Sequence, residues 1–197
     1  RRSVVMKSIG DMQKRIDNLV KELSSIKEDI NQYAVTDNKW EDNLEQIFTV
    51  AARYAFSDHP LKKAEHIIKK EYLLILMAIS SLTIDKNRAL YFVGRIAAGV
   101  EFKESLTELY SVDVAQIQGQ QINSFTKDII NENLGNYLAL DLLLVCYSNN
   151  ADEKVIKFSA GIIELLGISK ETLKELAELA HIIVTKDETA YLQFCRN

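Results

Sequence analysis

The chain resembles itself when it is shifted by 67 residues, so that residues 73–109 lie on residues 140–176. Eleven of the 37 aligned positions are identical, whereas ordinary composition gives about two or three matches at an arbitrary offset. The identical pairs are Leu73/Leu140, Leu76/Leu143, Ser81/Ser148, Asp85/Asp152, Gly94/Gly161, Ile96/Ile163, Lys103/Lys170, Glu104/Glu171, Leu106/Leu173, Glu108/Glu175 and Leu109/Leu176. Such a repeat indicates two copies of one supersecondary unit.

Each copy has the sequence pattern of helices. An apolar helix leads into a polar turn, and Asp85 or Asp152 is placed there to cap a second apolar helix. A third, more charged helix follows; in the second copy Gly167 ends one helix and Ser169 caps the next. We expect the helix after Asp152 to be more deeply buried than its counterpart, because it is apolar on more than one face.

The fold class that follows is all-α. With one Pro and 7 Gly in 197 residues, the chain lacks the turn residues that a many-stranded fold requires. Between the two copies, the spacing of Val114, Ile117, Ile122 and Phe125 predicts one moderately amphipathic helix and a short turn.

The amino-terminal segment has a separate pattern, in which apolar residues alternate at spacings of four and three through four heptads. This narrow seam is typical of a coiled coil that self-associates or docks to another helix. The alternative is a helix that packs on its own chain. The domains are therefore a coiled-coil helix at residues 1–35 and a helical domain at 36–197. The seam consists of Val5, Ile9, Met12, Ile16, Leu19, Leu23, Ile26, Ile30 and Tyr33.

Two stretches of the second copy resemble the TerB-like family, a tellurite-resistance-associated helical domain. They read Leu-Leu-Leu-Val-Cys-Tyr-Ser-Asn-Asn-Ala-Asp-Glu-Lys at 142–154 and Ile-Glu-Leu-Leu-Gly-Ile-Ser-Lys-Glu-Thr-Leu at 163–173. The resemblance covers about residues 62–187. It implies a compact all-α fold with a pseudo-repeat, and an adaptor role in stress-response or membrane-linked assemblies.

The chain departs from this family where its ion-binding members hold a divalent cation. Those members have Asp-Gly at the turn of each half and an acidic residue seven positions after the Asp. An arginine or a valine cannot ligate a cation, so we expect neither a metal site nor a cofactor. The equivalent residues here are Ser81, Leu82 and Arg88 in the first half, and Ser148, Asn149 and Val155 in the second.

Residues that carry catalysis are few. His59 precedes Pro60 at a predicted helix start, seven residues before His66 on the same predicted helix, and His181 lies on an apolar face as a core or boundary residue. Cys146 and Cys195 match neither a metal spacing nor a disulfide framework, and Cys146 is expected to be a small core residue. We therefore predict that the protein is not an enzyme; an enzyme would need a pocket holding His181 or His59 with a carboxylate.

The net charge of −4 and the pI near 5.5 argue against nucleic acid as a partner. Lys62, Lys63, Lys69 and Lys70 form one basic cluster, with 62/69 and 63/70 expected to stack on one helix. This cluster is either a solvated face or a contact for an acidic partner or an anionic membrane surface.

The sequence as a whole predicts a cytoplasmic protein, because no apolar run approaches the length of a membrane span. Its predicted function is that of an oligomerising interaction or scaffold module, in a bacterial stress-response or defence assembly. The alternative is a sensor of a divalent ion or small ligand that binds in the groove between the two repeat copies.

Overall fold

The computed structural model describes residues 44–114, 116–149, 151 and 153–186. This part of the chain is all-α, as the sequence predicted, and contains no strand. The α-helices are α1 Leu44–Ala52, α2 His66–Leu82, α3 Lys86–Gly99, α4 Leu106–Glu108, α5 Gly119–Asn131, α6 Gly135–Ser148, α7 Glu153–Leu165 and α8 Lys170–Thr185. A 3₁₀-helix spans Pro60–Lys63, and a π-helical turn spans Leu109–Val114.

Helices α2 and α6 form the centre of the domain. Residues 71–80 of α2 are buried without interruption, and so are residues 137–142 of α6. A helix that is apolar around most of its circumference is covered on all sides, and α2 accordingly packs against α3, α5, α6 and α7. On the outside, α1 covers α3 and α8 covers α6.

The predicted helix caps are confirmed where the structure describes them. The Asp85 side chain accepts a hydrogen bond from the Arg88 N–H at 3.1 Å, and Ser169 Oγ accepts one from the Thr172 N–H at 3.1 Å. Gly167 has a φ of 66°, the left-handed conformation that ends a helix. Asp152 lies outside the described residues.

The two copies of the repeat start their second helices at equivalent positions, since α3 begins at Lys86 and α7 at Glu153, which are 67 residues apart. The expectation that α7 is the more buried of the two helices is wrong. Ile156, Phe158 and Leu165 of α7 are 52%, 40% and 46% exposed. The reason is that α1 covers α3, whereas these α7 side chains are left open by the described helices.

Three further expectations have different outcomes. The region between the copies does not form one helix, because the π-helical turn ends at Val114 and α5 begins only at Gly119. His181 is exposed rather than buried, and its ring meets the Tyr147 ring edge-on at 6.3 Å. Cys146 is buried as predicted. The seam residues from Val5 to Tyr33 lie outside the described residues.

Candidate functional site

The four lysines of the basic cluster do not share one helix, so the expected stacking is wrong. Lys62 and Lys63 belong to the 3₁₀-helix, the chain is extended at Ala64 and Glu65, and Lys69 and Lys70 belong to α2. Pro60 starts the short helix, which ends after a single turn with Ala64 as its C-cap. A 3₁₀-helix rarely continues beyond three or four residues because its hydrogen-bond geometry is poor. All four residues still lie at the end of the domain where α2 begins.

Three of these lysines are engaged by the segment that follows α3. Lys62 Nζ lies 2.8 Å from Glu101 Oε1, and Lys69 Nζ donates to the Val100 carbonyl at 2.9 Å. Lys70 Nζ contacts Glu104 Oε2 at 3.0 Å and Asp113 Oδ2 at 3.1 Å. The hydrogen bonds to Glu104 and then Asp113 raise the pKa of Lys70.

His66 joins the same contact between α2 and this segment. Its Nε2 lies 2.5 Å from Glu104 Oε1, and its ring stacks on Phe102 with centroids 5.1 Å apart. Hydrogen bonds from His66 and then Lys70 lower the pKa of Glu104. Lys69 and Lys70 therefore connect this segment to α2, and Lys62 connects it to the 3₁₀-helix. These contacts leave less of the cluster's charge for an acidic partner or a membrane surface than the sequence suggests.

A buried polar network joins the two repeat copies. His59 Nε2 lies 3.0 Å from Asp141 Oδ2 of α6, and the Tyr72 hydroxyl of α2 donates to the same oxygen at 2.6 Å. His59 Nδ1 accepts a hydrogen bond from the Leu61 N–H at 3.1 Å. Because Nδ1 is an acceptor, the ring proton is on Nε2, which donates to Asp141.

This network contains an acid–base pair, but its geometry is that of a structural cross-link. The side chains of His59 and Asp141 are both 0% exposed, so a substrate has no access to either group. The prediction that His59 belongs to a helix start is confirmed, because it caps the 3₁₀-helix. Sequence reasoning missed Asp141, although a lone carboxylate in the apolar run 138–146 was a usable signal of a buried polar contact.

Arg95 is a second buried charge that sequence reasoning missed. It lies on α3, and its Nε donates to the Tyr54 carbonyl at 2.5 Å. Its guanidinium carbon lies 4.0 Å from the centroid of the Phe56 ring, in the geometry of a cation–π contact. Arg95 thereby fixes the connection between α1 and the 3₁₀-helix.

Glu71 is the buried carboxylate that the structure stabilises least. The residue is 7% exposed, and its Oε2 has no hydrogen-bond partner in the structure. Burial, and then the negative charge of Asp128 on α5, raise the pKa of Glu71. A carboxylate in this position favours either a proton or a cation.

The residues that the resemblance compares with a cation site make other contacts in this structure. Ser81 Oγ donates to the Ala78 carbonyl at 2.7 Å, and Ser148 Oγ donates to the Leu144 carbonyl at 2.5 Å. Val155 is buried. Across the described residues, no three His, Cys, Asp or Glu side chains are grouped so that they could hold a metal ion.

Comparison with known proteins gives no relative: no family model matches the chain, and no curated protein or solved structure is significantly similar to it. Among the described helices, none combines the length and the apolar character needed to cross a bilayer.

Proposed function

We propose that this protein is a non-enzymatic interaction module that self-associates through the seam of residues 1–35, and that its helical domain has a TerB-like adaptor role in a stress-response assembly. The observation that supports the proposal is the continuous apolar core that the described helices share. Because these helices share a core of their own, we infer that the apolar residues of the seam serve contacts with another helix.

The burial of the acid–base pair supports a role without catalysis. General acid–base chemistry requires a group within hydrogen-bond reach of the substrate, and His59 and Asp141 are enclosed by the domain. His66 is exposed, but it stacks on Phe102 and contacts Glu104. These histidines are thus engaged in holding segments together.

The TerB-like assignment of residues 36–197 is supported by the repeat. The equivalent starts of α3 and α7 fit the internal duplication, which agrees independently with the pseudo-repeat that the resemblance implies. The resemblance also supplies the assembly context, since domains of this family attach to stress-response and membrane-linked systems. We propose the same context here, with other protein chains as partners.

Self-association is tested by light scattering on the full chain. We expect a mass of at least two chains for the wild type and a monomer for Ile16→Asp, because a charge in the seam must be desolvated on pairing. Lys21→Asp introduces the same side chain at an outer position of the same heptad, and we expect it to keep the wild-type mass. A monomeric wild type, or an Ile16→Asp protein of unchanged mass, contradicts the proposal and favours a helix packed on its own chain.

A second candidate function is a sensor of a divalent ion or small ligand, and one observation favours it. The Oε2 atom of Glu71 on α2 has no hydrogen-bond partner, and Asp128 on α5 is close enough for the two charges to interact. Helix α2 belongs to the first copy, and α5 connects the two copies. A cation bound to the folded state raises the melting temperature by mass action. This function requires that Ca²⁺, Mg²⁺ or Zn²⁺ raises the melting temperature of the wild type but not that of Glu71→Gln. If none of these ions at millimolar concentration changes the melting temperature of the wild type, the sensor function is excluded.

A further inference from the structure

The turn between α2 and α3 holds two apolar side chains in solvent. Leu82, the last residue of α2, is 52% exposed, and Ile84 in the turn is 78% exposed. Within the described ranges, no other large apolar side chain is as exposed as Ile84. Hydration of apolar surface is unfavourable, so both side chains gain from contact with something outside the domain.

The backbone of this turn is fixed rather than loose. Thr83, between the two apolar residues, is 6% exposed. Its Oγ1 and its N–H both donate to the Ser80 carbonyl, at 2.8 and 3.2 Å. On the other side of Ile84, the Asp85 side chain caps α3. The exposure of Leu82 and Ile84 is therefore a property of a defined turn.

The equivalent turn of the second copy does not present such a surface. Leu82 and Ile84 align with Asn149 and Ala151 at the offset of 67 residues. Asn149 is 5% exposed, and Ala151 packs against the core. Because the second copy forms its turn with a polar and a small residue, the fold of the unit does not require two exposed aliphatic side chains at these positions.

Two cations stand next to the apolar pair. Lys86 and Arg88 lie in the first turn of α3 and are exposed, where the second copy has Glu153 and Val155. Side chains of a helix lean toward its amino terminus, so both cations lean toward the turn. Among the contacts of the described residues, no hydrogen bond or ion pair engages either cationic group. Asp85 is the one acidic residue of the stretch 82–88, and its carboxylate accepts from the Arg88 N–H at 3.1 Å.

We propose that this turn docks on an anionic lipid bilayer, with Leu82 and Ile84 entering the interface and Lys86 and Arg88 lying at the lipid phosphates. Apolar side chains are stabilised at the boundary between headgroups and acyl chains, and lysine and arginine are attracted to anionic lipid. The side chains protrude from a turn, and a fluid bilayer accommodates protruding side chains without a preformed cavity. This surface involves neither the seam nor a second chain, so it does not rest on the self-association proposed above.

The lysine cluster at the other end of α2 provides matched controls. Ile67, at the start of α2, is 53% exposed, and Lys63 lies just before the same helix. Ile67 and Leu82 are 15 residues apart on α2, which is about 22 Å at 1.5 Å per residue. Substitutions at the two ends therefore distinguish the turn from the lysine cluster.

Sedimentation of the full chain with sucrose-loaded vesicles tests the proposal. We expect the wild type to bind vesicles of phosphatidylserine and phosphatidylcholine in equal parts, and to bind phosphatidylcholine vesicles about tenfold more weakly. Ile84→Ser should weaken binding to the anionic vesicles about tenfold, because it removes an apolar side chain from the interface. Lys86→Gln should weaken it about fivefold, because one attraction to anionic lipid is lost.

Three further variants make the test specific. Ile67→Ser and Lys63→Gln remove the same groups at the other end of α2 and should leave binding unchanged. Ile84→Trp should bind several-fold more tightly than Ile84→Ser and at least as tightly as the wild type, because tryptophan favours the membrane interface. Circular dichroism and light scattering without lipid check that each variant keeps the helical fold and the wild-type mass.

Four results would overturn the proposal. The wild type does not sediment with anionic vesicles at millimolar lipid, or it binds phosphatidylcholine vesicles equally well. Ile84→Ser and Lys86→Gln bind as the wild type does. Ile67→Ser and Lys63→Gln weaken binding as much as the variants of the turn, which places the contact at the lysine cluster. Finally, a lower mass of Ile84→Ser without lipid shows that a second copy covers the turn instead.

Discussion

Replacing Glu71 by glutamine should stabilise the protein at neutral pH. In the native state Glu71 is 7% exposed, and one of its oxygens has no partner. Leaving a buried polar group without a hydrogen bond costs about 1–3 kcal/mol. A neutral amide costs less to bury than a carboxylate, so Glu71→Gln should recover part of this free energy, up to about 1–3 kcal/mol. Each kcal/mol corresponds to a rise of about 2–4 °C in melting temperature for a domain of this size.

The gain should depend on pH in a defined direction. The pKa of Glu71 is raised above its ordinary value of 4.5 by burial, with a smaller contribution from Asp128. An acid with a raised pKa in the folded state does not destabilise the protein below its unfolded pKa. The destabilisation grows as the pH rises above the unfolded pKa and is complete once the pH has passed the folded pKa. The advantage of Glu71→Gln should therefore be smallest near pH 4 and should grow as the pH rises toward 8.

Thermal unfolding of the full chain, followed by circular dichroism between pH 4 and 8 with a chelator present, measures this effect. Asp128→Asn should give a smaller gain than Glu71→Gln, because burial is the larger cause of the shift. Glu71→Met removes the carboxyl group altogether and should reproduce the gain, whereas Glu132→Gln at the exposed end of α5 should change nothing. A Glu71→Gln advantage that is absent at pH 8, or equal at all pH values, refutes the reasoning.

Three further changes probe the packing of the domain, each measured by urea or thermal unfolding. Asp141→Ala should cost about 3–5 kcal/mol because it leaves two buried partners without their hydrogen bonds. Tyr72→Phe removes one hydrogen bond to that carboxylate and should cost about 1.5–3 kcal/mol. Equal losses would show that the network is not centred on the carboxylate. Gly94→Ala should cost about 1–3 kcal/mol through overpacking against α1. Gly119→Ala, at the first residue of α5 with open space around it, should instead gain about 0.4–1 kcal/mol because alanine lowers the entropy of the unfolded chain. Ser169→Ala should cost about 1 kcal/mol through the lost cap on α8, and a neutral result there would contradict the capping geometry.

The features that the sequence predicted correctly are those governed by local rules. Asp85 and Ser169 cap their helices because a side-chain oxygen three residues before a free N–H is sufficient for that contact. The break at Ala64 and Glu65 was missed, since a lysine-rich stretch with good helix formers gives no local sign that the first turn is 3₁₀. The basic cluster was consequently assigned to one helix.

The candidate site depended on contacts between distant residues, which no spacing reveals. Asp141 is 82 residues from His59 and 69 from Tyr72, and each partner belongs to a different element. The sequence shows only that a carboxylate stands inside an apolar run. That signal identifies a buried polar group that must be satisfied, but it does not identify its partner.

The repeat shows why equal sequence positions need not have equal environments. Gly94 and Gly161 arise from the same position of the unit, but α1 precedes only the first copy, where it covers α3. The apolar residues on more than one face of α7 suggested deeper burial, yet burial depends on whether a neighbouring element supplies a complementary surface. Phe158 and Leu165 are therefore exposed because none of the described helices covers their side of α7, as α1 covers α3 in the first copy.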